Sequence, residues 1–100
     1  METSKDTWVI DSGATNHVCI SLQGFRETRS LLDMSFTLRT GNGNLVLAEV
    51  VGKVNLYFDE FRMIILRDCF YVPNFKRNLI SVACLFKILI MFLLIKSSYL

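Results

Sequence analysis

The stretch Met34-Ser35-Phe36-Thr37-Leu38-Arg39-Thr40-Gly41-Asn42-Gly43-Asn44-Leu45-Val46-Leu47-Ala48-Glu49-Val50 decides the fold class. Met34, Phe36 and Leu38 alternate with Ser35, Thr37 and Arg39, a period of two that gives an extended segment one apolar and one wet face. Beyond the Gly41-Asn42-Gly43-Asn44 run, Leu45, Leu47 and Glu49 share one face while Val46, Ala48 and Val50 share the other. Asn-Gly tolerates positive φ and matches the twist of flanking strands, so the two runs predict a hairpin. A hairpin of this kind joins strands in proteins of every function, and by itself it assigns none.

Working outward, a third alternating run follows Gly52, with Val54, Leu56 and Phe58 facing one way before Asp59-Glu60 mark a turn. Segments 61–66 and 69–72 read as two further apolar strands. Pro73 cannot donate to a ladder and Asn74 favours a turn, so the last strand is expected to stop there. From Leu79 the alternation gives way to Leu79, Val82, Ala83, Phe86, Leu89 and Ile90 at helical spacing, with Asn78 as the expected cap. Five or six short strands and one C-terminal helix predict a mainly β chain, arranged as a small closed barrel or a pair of packed sheets.

The 100 residues can hold one core and no second domain. Net charge is +2, and Arg26, Arg29, Arg39, Lys53, Arg62 and Arg67 are scattered, which argues against nucleic acid as a partner. Residues 1–6 are polar, expected to be disordered, and lack the basic start and apolar core of a secretory signal, so an intracellular, cytoplasmic location is expected. Cys19, Cys69 and Cys84 are odd in number and form no Cys-x-x-Cys pair, so no disulfide framework or metal site is expected.

Chemistry is advertised at Trp8-Val9-Ile10-Asp11-Ser12-Gly13-Ala14, an apolar strand running into a carboxylate. Gly13 allows a sharp backbone turn and Ser12 can hydrogen-bond locally. Asp-Ser-Gly is also an ordinary way to end a strand. His17 and Cys19 lie two apart and share a face if extended, but a zinc site needs two more ligands and a thiol nucleophile needs an oriented base. Packing or hydrogen bonding beside the Asp11 turn is their expected role.

Two separated blocks then carry a resemblance. Trp8-Val9-Ile10-Asp11-Ser12-Gly13-Ala14-Thr15-Asn16-His17-Val18-Cys19 resembles the start of the aspartic protease domain in Copia-type retrotransposon Pol polyproteins. Leu66-Arg67-Asp68-Cys69-Phe70-Tyr71-Val72-Pro73 with Asn78-Leu79-Ile80-Ser81-Val82 resembles the second block of the same family. The resemblance spans residues 7–87 and implies a retropepsin-like β-barrel. It implies Asp11, Ser12 and Gly13 as the catalytic motif, Ala14, Thr15, Leu79, Ile80 and Ser81 as support, and the hairpin tip Gly41, Asn42, Gly43 and Asn44 as a substrate-covering flap.

The motif occurs once, so the resemblance implies a homodimer in which Asp11 of each copy joins one proton-sharing pair. Its substrate would be a polypeptide, the parent polyprotein, and no cofactor or metal is expected. Asp68 lacks a surrounding Asp-Ser/Thr-Gly and is not expected to supply the second carboxylate. Val50 stands where the family commonly has Gly.

Residues 88–100 depart from the family and read as an aberrant hydrophobic tail, with the chain expected to be a fragment of a polyprotein. Leu79 to Ile95 spans 17 residues, short of the about 20 that cross a bilayer, and carries Lys87 at its middle. The competing expectation is a catalytically inactive β-barrel remnant or binding domain, with a C-terminal membrane-associating helix as one variant.

Overall fold

The computed structural model describes residues 7–32, 36–39 and 43–98, the last two by backbone alone. Eight strands precede one helix: β1 (Trp8–Asp11), β2 (Val18–Cys19), β3 (Phe25–Ser30), β4 (Thr37–Arg39), β5 (Leu45–Leu47), β6 (Val50–Tyr57), β7 (Met63–Tyr71), β8 (Asn78–Ser81) and α1 (Val82–Ser98). Six strands form one sheet in the order β1-β8-β2-β7-β6-β3, and β4 and β5 form a separate hairpin. The chain is mainly β with one C-terminal helix, a small barrel-like domain as the alternation predicts.

Side-chain parity builds a core on both faces of the sheet. Val18, Phe70 and Leu79 face one cluster, while their neighbours Cys19, Cys69 and Ile80 face another. The hairpin covers the first face. Leu38 and Ala48 join that cluster, Phe36 stacks on Phe70 with ring centroids 4.9 Å apart, and the Ala48 amide donates to the Phe36 carbonyl. Leu45 and Leu47 face outward and Val46 packs inward, on opposite faces as their alternation requires, and the packing of the hairpin on the sheet selects which face is buried. The hairpin register pairs Arg39 with Leu45, so residues 40–44 connect the strands; Gly43 has φ of 88°, whereas Gly41 and Asn42 lie outside the described residues.

Three expectations need correction. The segments 61–66 and 69–72 are one strand, β7, because a bulge rather than a turn separates them. Arg67 and Asp68 together oppose Lys53, and Asp68 takes a left-handed φ of 54° there. On the other side of β6, Glu27 and Thr28 oppose Gly52, and Glu27 has φ of 52°. The two bulges align across three strands and bend the sheet. Gly52 lies beneath them, where a Cβ would come within 3.0 Å of the Arg26 carbonyl oxygen.

Strand β3 is the second correction, because alternation did not predict it. Phe25-Arg26-Glu27-Thr28-Arg29-Ser30 is a polar edge strand whose outward face needs no apolar residues. The third concerns residues 78–81, which form β8 rather than the first turn of the helix. Asn78 is fully buried in β8, away from the helix start; its side chain accepts from the Ile20 amide at 2.8 Å and donates to the Thr7 carbonyl at 3.0 Å. Ser81 is the N-cap instead, its Oγ accepting from the Cys84 amide at 3.1 Å.

The Asp59 turn is present as expected. Its carboxylate accepts from the Phe61 and Arg62 amides and from the Arg62 guanidinium, and these donors hold the carboxyl below its usual range. Helix α1 leaves the sheet after Leu85, which packs on the second cluster; from Phe86 to Ile95 its apolar side chains are exposed. Among the described residues, no helix is long and apolar enough to cross a membrane.

Candidate active site

Parallel pairing of β1 with β8 sets Asp11 opposite Ser81. Asp11 shares the parity of Val9, which packs on the first cluster, so its side chain reaches a cleft on that face of the sheet. The cleft holds ≈ 150 Å³. Val18, Val72 and Leu79 form its floor, Leu38 and Val46 of the hairpin form a wall, and Phe75 closes one side. Asp11, Gly13, Ala14, Thr15 and Asn16 form its lip, and Arg39 of β4 also lines it.

The lip is held by hydrogen bonds. The Gly13 amide donates to Asp11 Oδ1 at 2.8 Å and orients the carboxylate. A Cβ at Gly13 would stand 3.3 Å from that oxygen, so this position keeps the carboxylate uncrowded. Ser81 Oγ donates to the Ala14 carbonyl at 2.7 Å, and the Cys84 thiol donates to the Thr15 carbonyl at 3.3 Å. Asn16 Nδ2 donates to Thr15 Oγ1 at 3.0 Å. Beneath the lip, buried His17 accepts the Ser81 amide on Nδ1 at 3.0 Å. Burial lowers the pKa of His17, and the nearby Asp68 carboxylate opposes that shift.

Of the residues that sequence reasoning placed in the site, Asp11, Gly13, Ala14, Thr15 and Leu79 meet at the cleft. Ser12 is exposed and outside its lining. Ile80 faces the opposite cluster, and Ser81 sits behind the lip as its anchor. Gly43 and Asn44 stand at the far end of the hairpin, away from the lining, and Gly41 and Asn42 fall outside the described residues.

Arg39, Val46 and Phe75 line the cleft without having been singled out as site residues, because only the hairpin's packing brings them there. The available signal was that Val46 shares a face with Ala48, opposite Leu45 and Leu47. Asp68 lines a different cleft, with Glu27, Arg29, Lys53 and Arg67, so no second carboxylate joins Asp11 among the described residues. Nor, among the described residues, does any group of three or more His, Cys, Asp or Glu side chains converge as metal ligands would.

An oriented carboxyl group at the mouth of an apolar cleft can accept from a water when ionised and donate to a peptide carbonyl when protonated. No curated protein and no solved structure matches the chain. Residues 8–88 match the family described as Pol polyprotein, beta-barrel domain, from the first residue of β1 to the second turn of α1, and the chain belongs to that family.

Proposed function

We propose that the chain is the aspartic protease domain of a Copia-type retrotransposon Pol polyprotein, working in the cytoplasm on its own polyprotein. The observation that carries this reading is Asp11, held at the lip of an apolar cleft with its carboxylate oriented by the Gly13 amide. Two copies pair about a two-fold axis. One Asp11 accepts a proton from the attacking water while its symmetry mate donates to the peptide carbonyl, a division of labour that two adjacent carboxyls sharing one proton provide. The β4–β5 hairpin lies over the peptide as a flap, with residues 41–44 at its tip. Thr15 and Ser81 brace the lip, and the chemistry needs neither metal nor cofactor.

Sedimentation across micromolar concentrations is expected to show reversible dimerisation, and the dimer is expected to cleave polyprotein-derived peptides. Asp11→Asn is expected to abolish cleavage while leaving the circular dichroism of the sheet unchanged. Retained cleavage in that variant removes Asp11 from the mechanism.

A second reading has its own observation, the exposed apolar surface on α1 from Phe86 to Ile95. In it the domain is a catalytically inactive remnant or binding module, and the helix associates with membranes. A strict monomer that floats with lipid vesicles favours this reading; a dimer that stays in the aqueous fraction rejects it.

A further inference from the structure

Four hydrogen bonds converge around the β8–α1 junction. The Ser81 amide donates to His17 Nδ1, its hydroxyl donates to the Ala14 carbonyl and accepts the Cys84 amide, and the Cys84 thiol donates to the Thr15 carbonyl. Segment 11–17 is therefore closed at both ends on Ser81, by ladder pairing at Asp11 and by the imidazole at His17. His17 is itself fixed, because its carbonyl accepts the Phe70 amide of β7 at 2.9 Å.

An imidazole nitrogen accepts a hydrogen bond only when it carries no proton. The Ser81 bond therefore requires Nδ1 bare and the proton on Nε2. Protonation would turn Nδ1 into a second donor facing the Ser81 amide and break the link. We propose that neutral His17 is the positioning residue of the Asp11 lip, and that acid releases the lip by protonating it.

The titratable and charged groups on the surrounding elements are Asp11 on β1, Cys19 on β2, Arg67, Asp68, Cys69 and Tyr71 on β7, and Cys84, Lys87 and Lys96 on α1; β8 has none. Asp68 is the charge that acts on His17, and it favours the proton. Burial disfavours it more strongly, so the acceptor form persists below the ordinary histidine range. The effect on catalysis rests on the reading of Asp11 as the reacting carboxylate, whereas the effect on the lip does not.

His17 is the single histidine of the chain, so nitrogen-15 correlation spectra of this 100-residue chain report on it without ambiguity. At about pH 8, a bare Nδ1 and a protonated Nε2 are expected. On acidification, His17 is expected to take its proton below about pH 6.5, and protection of the Ser81 amide from hydrogen exchange falls about tenfold with the same midpoint. His17→Asn places a carbonyl oxygen near the position of Nδ1, and is expected to preserve Ser81 protection and make it independent of pH over this range.

A proton on Nδ1 at about pH 8 overturns the proposal, as does Ser81 protection that stays flat while His17 titrates. If the protein cleaves peptide, the acid limb of kcat is expected to shift in His17→Asn; an unshifted limb overturns the catalytic half. If no variant or wild-type chain cleaves peptide, the reading of Asp11 fails, while the spectra still decide the role of His17.

Discussion

β8 and the distal turns of α1 are close in sequence and opposite in fate. Asn78-Leu79-Ile80-Ser81 is half polar, yet all four residues are buried. Ile88 to Ile95 is entirely apolar, and each of its side chains is at least 41% exposed. The difference lies in neighbours. β8 runs between β1 and β2, so its backbone is paired on both edges, and clusters cover both of its faces. The two polar side chains in β8 are tolerated because each is hydrogen-bonded on its donor and acceptor sides. Past Leu85, α1 has no sheet to lie on, and a helix apolar on all sides cannot turn one face inward and another to water. Composition drives burial only where the topology supplies something to be buried against.

The largest expected effect tests this contrast directly. Ile80→Ala is expected to cost about 2–5 kcal/mol by the cavity it leaves, whereas Ile90→Ala is expected to stay within about 0.5 kcal/mol, both read by urea unfolding. An Ile90 variant as damaging as the Ile80 variant would mean that α1 packs against something in solution.

Asn78→Ala comes next. It leaves the Ile20 amide without its side-chain acceptor and frees the Thr7 carbonyl, an expected loss of about 2–3 kcal/mol. Hydrogen exchange at Ile20 is expected to speed up ahead of the rest of the sheet. Gly52→Ala should be milder, at about 1–3 kcal/mol, because the added Cβ meets the Arg26 carbonyl and Thr28 and forces the β3 bulge outward. Equal stability of that variant would mean the edge strand yields without cost.

The smallest effect concerns pH. His17 keeps a lowered pKa in the folded chain, so unfolding takes up a proton between that value and the ordinary histidine value. Stability is expected to be full above about pH 6.5, to fall as pH drops through this window, and to lose no more to His17 below its folded pKa. His17→Asn should flatten the dependence in urea titrations; a slope of opposite sign would mean that Asp68 outweighs burial.

Much of this was legible in the sequence because it depends on local period. The inward Leu38, the opposite faces of Leu45 and Val46, the Asp59 turn and the end of β7 before Pro73 follow from alternation and turn chemistry within a few residues. The helix start did not, since Leu79 and Ile80 fit either period and only pairing with β1 makes them a strand. β3 was invisible for a related reason, as an edge strand with a polar outer face carries no alternation to read. His17 could be placed near the Asp11 turn from sequence, but its bond to an amide 64 residues away could not.

By itself, the sequence determined a mainly β chain with a carboxylate at the end of its first strand, because strand period and turn residues act over short range. The tertiary structure decided that Asp11 opens onto an apolar cleft, that Ser81 anchors the lip, and that the two bulges bend one sheet. Those outcomes depend on which strands pair and in what register, and register is set by long-range packing that no local pattern contains.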